Sequence, residues 1–340
     1  MPDVDATLAN TADKLFVATI VFYAVAMLGY ALEYAFGRKA AAVAGARSKV
    51  LAGAGGPDHA ETSDVDDGED GHVDERAERL GITMNQANRA GVVALWLTWI
   101  GAALHLSCLV LRAWSVGRVP WGNMYEFIIA VCLVGVGTWL VVVATGLAAR
   151  RLGLFTTLVA ILLLGTATRL YTEAAPLVPA LNSYWIAIHV TAAVLASGIF
   201  MVGFVPAALQ IIRRRYDQVE GSGRKPRFPI TLGERLPAVE NLERLVFKLH
   251  VFAFPLWTFG VIAGAVWAER AWGRYWGWDP KEIWSFIAWV VYAAYLHARA
   301  TGPGGRKLAP WIVVLGWVTM IINLFGVNLV VSGLHSYAGV

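Results

Sequence analysis

Eight runs of roughly 20 predominantly apolar residues divide this sequence, and that is the length a helix needs to cross the hydrocarbon core of a bilayer. They cover Leu15–Phe36, Gly91–Trp114, Met124–Ala149, Leu152–Leu170, Tyr184–Ile212, Leu245–Trp267, Trp284–Ala300 and Trp311–Val331. Charged residues make up only 15% of the chain and apolar residues 57%, whereas a soluble domain carries about 25% charged residues. The expected fold class is therefore all-α: a polytopic membrane protein of about eight transmembrane helices joined mostly by short loops. Leu15–Phe36 is too long for the apolar core of a signal peptide and no small-residue cleavage site follows it, so it reads as a retained first helix.

The net charge of +4 does not point to nucleic acid, because the basic residues cluster at the ends of the apolar runs, where they set topology. Arg38–Lys39, Arg150–Arg151, Arg213–Arg215 and Arg306–Lys307 fall in alternate connections. Those connections are expected to face the cytoplasm. Both termini and the loops near 115–123, 171–183 and 268–283 then face outward.

Three regions follow. Residues 1–36 hold the first transmembrane helix. Residues 37–90 turn strongly acidic between Asp58 and Glu78 and carry too little apolar surface to fold alone, so they read as a disordered cytoplasmic linker, with His59 and His72 solvated. Residues 91–340 form a seven-helix domain. The two cysteines, Cys108 and Cys132, lie inside apolar runs, and without a CxxC they offer neither a redox pair nor a thiolate metal site. Both read as small packing residues.

The densest chemistry lies between the sixth and seventh runs, at Trp272-Gly273-Arg274-Tyr275-Trp276-Gly277-Trp278-Asp279-Pro280-Lys281-Glu282. Asp279, Pro280 and Glu282 have the spacing of a capping box that starts a helix, which makes Asp279 a cap before it is an acid or base. The aromatics of a membrane interface scatter over many helix ends. Here four rings converge on one outward loop and could form an apolar platform for a planar ligand. Arg270, Arg274 and Lys281 flank it and suit carboxylates. Haem, a flat macrocycle with two propionates, has that character.

Histidine is the commonest axial ligand of haem, and intramembrane histidines are functional candidates by default. His189, near the start of the fifth run, and His335, just past the eighth, fall at the depth of the Trp-rich loop from separate helices. They are the expected pair of iron ligands. His297 lies 17 residues after Pro280, roughly 25 Å along a helix, and would serve a separate, deeper site. His105 and His250 could complete an inner site or form intramembrane hydrogen bonds, and the hydrogen bonds are the expected reading. Glu126, in Asn123-Met124-Tyr125-Glu126, could be an interfacial cap or a contact to the outer site.

These motifs resemble the CcsA/ResC family of system II cytochrome c maturation proteins, within the wider group of Trp-rich "WWD" haem-handling membrane proteins. The resemblance covers about Gly91 to Tyr337 and includes Phe254-Pro255-Leu256, Gly264-Ala265-Val266-Trp267-Ala268 and Leu334-His335-Ser336-Tyr337. It implies that His189 and His335 hold the iron of haem b at the outer face, against Trp272, Trp276, Trp278, Asp279, Arg274 and Lys281. It implies that His297 belongs to a transmembrane haem site completed by a CcsB/ResB-type partner. The implied activity is haem delivery and attachment to apocytochrome c on the extracytoplasmic side of the plasma membrane, as a subunit of a cytochrome c synthase (haem lyase) complex. The apocytochrome supplies CxxCH thiols, and a thioredoxin-like reductant is a further implied partner. Two other classes fit the hydropathy: a b-type haem subunit of a quinone oxidoreductase, and a haem or organic-substrate transporter.

Overall fold

In the computed structural model, residues 4–37, 83–177, 181, 183–331 and 333–335 are described. Most of the expected acidic linker, including His59 and His72, lies outside these residues, as do Ser336 and Tyr337.

The described chain is helical. It comprises α1 (Ala6–Phe36), α2 (Met84–Val116), α3 (Met124–Ala144), α4 (Gly153–Arg169), α5 (Tyr184–Gly221), α6 (Val239–Trp272), α7 (Pro280–Ala300) and α8 (Pro303–Ile321). A π turn over Ile322–Gly326 and one short turn, α9 (Val327–Val330), extend α8. Helix starts coincide with side chains that accept from the first free amides: Asp5, Thr83, Asn123, Ser183 and Asp279. Helix α2 begins at Met84, capped by the Thr83–Gln86 box, so the expected linker is too long by its last residues. An apolar run alone cannot reveal the polar first turns that such a cap allows.

Among the described residues seven helices are long and apolar enough to cross a membrane, and α7 is not one of them. Its aromatic and polar residues lower its hydropathy, yet contacts at its two ends give it the same span as its neighbours. At one end Glu243, near the start of α6, meets Arg299 of α7 at 3.0 Å and Arg214 of α5 at 3.6 Å. At the other end the α7 cap, Asp279, meets His335 beyond α8 at 2.8 Å. Helix α7 therefore runs antiparallel to α6 and α8 between the same two layers. We call these layers the arginine end and the Trp-loop end.

Helix α5 is the most buried of the long helices and packs on α3, α6 and α8, joining the first four helices to the rest. Two charged clusters fasten the first half. At one end Arg150 Nε lies 3.1 Å from both carboxylate oxygens of Glu33. At the Trp-loop end the fully buried Glu126 accepts from Arg112 Nε at 2.9 Å, Arg118 Nη1 at 2.7 Å and Gly122 N at 2.7 Å. Glu126 is therefore an anchor of the 117–123 loop.

Candidate functional site

The Trp-rich loop is shaped by one carboxylate. Helix α6 ends at Gly273 in the left-handed region (φ +71°) and α7 starts at the Asp279–Pro280 cap. Glu282 Oε2 accepts from Gly277 N at 2.8 Å and from Asp279 N at 3.0 Å. A backbone whose successive residues alternate in hand turns its amides toward one anion. The residue between these two amides is Trp278, at φ +57°. A side chain there costs about 1–2 kcal/mol.

The turn splits the aromatic group. Trp272, Tyr275 and Trp276 line a cavity with about 1120 Å³ of empty space, counted out to its open mouth. Trp278 is 67% exposed, stands edge-on to Trp276 at 5.8 Å and is not among the lining residues. Nor is Arg274, which is exposed and folds across Gly277. Three of the four loop rings, Trp272, Tyr275 and Trp276, thus border the cavity, where Trp267 of α6 joins them.

Both histidines expected at this end line the cavity. The His189 ring lies parallel to the Trp267 indole at 6.5 Å, and the His335 ring is 6.1 Å from the same indole and 5.1 Å from Trp272. Each Nδ1 is committed. His189 Nδ1 lies 2.7 Å from the Gly260 carbonyl oxygen and His335 Nδ1 lies 2.8 Å from Asp279 Oδ1. A carbonyl and a carboxylate can only accept, so both Nδ1 atoms carry hydrogen. In a neutral ring Nε2 then bears the lone pair, the arrangement usual in metal-binding histidines.

Asp279 links the cap, the histidine and the chain end. Besides capping α7 it accepts from Leu334 N at 2.7 Å, so both residues before and at the histidine hang from one carboxylate. Burial alone pushes this carboxyl up. The bonds from His335, Leu334 and Lys281 outweigh burial and hold it at about 2.

Lys281 reaches the cavity by way of the π turn. There the Val327 amide bonds Ile322 O, five residues back, rather than Asn323 O. The Asn323 carbonyl instead accepts from Lys281 Nζ at 2.8 Å. An amine is thereby held in the lining of an otherwise largely apolar chamber.

Gly264 gives His189 its place. A Cβ there would stand 2.7 Å from both Cε1 and Nδ1 of the imidazole. A second cavity, lined by Trp121, Asn123, Leu177 and Leu181, also borders His189 and His335. The histidine pair therefore stands between two chambers.

The remaining histidines lie elsewhere. His297 is exposed in the last turn of α7, at the arginine end. His105 Nδ1 meets Tyr23 Oη at 3.3 Å and His250 Nδ1 meets Val246 O at 2.8 Å, the hydrogen bonds expected of them. Cys108 and Cys132 are buried free thiols.

Comparison with known proteins places these residues in context. Residues 121–335 match the profile of a family described as Cytochrome C assembly protein. The chain is similar to the cytochrome c biogenesis protein CcsA of Parasynechococcus marenigrum, 36% identical over 73% of this chain and 87% of that protein. It is similar to CcsA of Gloeobacter violaceus, 33% identical over 74% of this chain and 94% of that one. A match to CcsA of Guillardia theta reaches 40% identity but spans 48% of this chain and 58% of the relative.

Proposed function

The chain belongs to the CcsA family of cytochrome c biogenesis proteins, and from that premise we propose that its Trp-loop end receives haem b as a substrate and presents it for attachment to apocytochrome c. The observation that carries the proposal is the histidine pair. His189 and His335 line one cavity, pack on one indole and both commit Nδ1 as a donor.

The donor set fits haem. Two neutral imidazoles suit the two axial positions of the iron. Trp267, Trp272 and Trp276 supply aromatic walls, and Lys281 supplies a positive charge for a propionate. Asp279 fixes the His335 ring and raises its basicity by accepting the Nδ1 hydrogen. The chain contains no CxxC, so the thiols belong to the CxxCH segment of the acceptor. Each S–H adds across one haem vinyl C=C, forming a thioether with no leaving group. The thiols must be reduced, which is the place of a thioredoxin-like reductant. The reaction occurs on the extracytoplasmic side in this reading, in a system II complex.

His297 has a different part. It lies at the far end of α7 on an exposed face, so a haem bound there takes its second ligand from a CcsB/ResB-type subunit. Haem passes from that site to the Trp-loop cavity.

The test is the absorption spectrum of the protein purified with its co-expressed partner. A six-coordinate haem spectrum that loses a ligand in His335→Ala and regains one with added imidazole supports the proposal. No haem in the wild type, or a spectrum that the substitution leaves unchanged, removes His335 from the site.

A further inference from the structure

His250, Tyr292 and Tyr295 form a polar cluster where α5, α6 and α7 meet, and none of the three lines the Trp-loop cavity. None is more than 1% exposed. The His250 ring lies 4.8 Å from Tyr295 and 5.4 Å from Tyr292, centroid to centroid. Two glycines leave the space. A Cβ on Gly203 of α5 would stand 2.5 Å from His250 Cε1, and one on Gly316 of α8 would stand 2.6 Å from Tyr292 Cε1.

His250 Nδ1 donates to the Val246 carbonyl at 2.8 Å, which leaves Nε2 as an acceptor. That Nε2 and the hydroxyls of Tyr292 and Tyr295 are buried and meet no hydrogen-bond partner among the described residues. Each such group left unmatched costs about 1–3 kcal/mol, so three on rings that pack together argue for something that satisfies them. A fourth group lies on the α5 turn beside the imidazole. Pro206 lies inside α5 and has no N–H, so the Val202 carbonyl four residues earlier loses its helical donor. Val202 directly precedes Gly203, the residue against which the imidazole rests.

We propose that this junction binds one buried water molecule. The water donates its two hydrogens to His250 Nε2 and the Val202 carbonyl and accepts from the Tyr292 and Tyr295 hydroxyls. Two acceptors and two donors match its full capacity, and buried waters typically make two to four hydrogen bonds. Other ligands fit less well. Phe200 stacks on Tyr292 at 3.8 Å and 7°, closing the space a macrocycle would need. The cluster has no carboxylate to balance a metal ion. The water ties α5 to α6 and α7 beside the proline, at the point where the α5 backbone is weakest. The inference is independent of what the Trp-loop end binds.

The test is thermal unfolding of the full chain in detergent for Tyr292→Phe, Tyr295→Phe and the double variant. With the water in place each single variant lowers Tm by a few degrees, and the double lowers it by less than the sum. In a dry cluster, removing an orphan hydroxyl raises Tm or leaves it unchanged, which overturns the proposal. The single lone pair of Nε2 can accept directly from only one hydroxyl, so a drop in just one variant also overturns it. A structure that resolves ordered solvent gives an independent reading. Density within hydrogen-bond distance of all four groups supports the water, and its absence refutes it.

Discussion

Asp279 Oδ1 lies 2.8 Å from His335 Nδ1, while Asp279 Oδ2 accepts the Leu334 amide at 2.7 Å. One carboxylate therefore starts α7 and also holds the segment that follows the last helix. A residue whose local pattern is that of a cap becomes, through this contact, the orienter of a ligand histidine. Asp279→Asn keeps a good cap but removes the charged acceptor. Haem affinity, measured by absorbance titration of the purified complex, is expected to fall about 10–100-fold, the usual effect of losing such an outer partner. Helix content should be unchanged.

The same carboxyl sets a pH window. Its folded value is held at about 2, below the ordinary carboxyl range. A depressed carboxyl contributes stability that is fully present above the unfolded value and is lost as pH falls through the folded one. The Tm difference between wild type and Asp279→Asn is therefore expected not to shrink from pH 8 to 5. It should shrink only below about pH 4. A difference that already shrinks between pH 7 and 6 would assign the contact to another titration.

Gly264 offers a test of the cradle for His189. An Ala there is the better helix former, but its Cβ would meet the imidazole at 2.7 Å. Gly264→Ala is expected to fold and to lose the His189 contribution to haem binding. The spectrum should change from six- to five-coordinate, and Tm measured without haem should move little. An unaltered spectrum would mean that the ring can shift without cost.

Trp278 separates the two roles of the loop aromatics. Glycine relieves the left-handed strain at φ +57°, about 1–2 kcal/mol. Trp278→Gly is expected to retain the haem spectrum of the wild type with no loss of Tm. Trp272→Ala, which removes a cavity wall, is expected to weaken haem binding. Equal losses in both variants would return Trp278 to the cavity.

Glu126 is expected to be the most costly single substitution among these. Removing its charge leaves Arg112 and Arg118 without their shared buried counter-charge, a loss of about 3–5 kcal/mol for a broken buried pair. Glu126→Gln should lower Tm strongly and reduce the yield of folded protein. A Tm within about a degree of wild type would show that the network is dispensable.

Features that act over one or two turns of chain can be read from the order of residues alone. Runs such as Met124–Ala149, of which the helix takes up Met124–Ala144, are legible because a bilayer rewards apolar length, and the Asp279–Glu282 cap because its hydrogen bonds close within four residues. His189 and His335 could be nominated from their depth along separate helices. Every relation between helices, by contrast, depends on how the bundle packs. Helix α7 falls below the hydropathy of its neighbours, yet contacts at both ends place it beside α6 and α8. Trp267 serves both histidines, Gly264 makes room for one, and Asn323 presents a carbonyl to Lys281. Trp278 turns away from the cavity because Glu282 grips the amides on either side of it. Hydropathy records what each segment gains from lipid, and it is blind to which side chains on different helices share one space. Packing and hydrogen bonds between helices settle that only when the bundle closes.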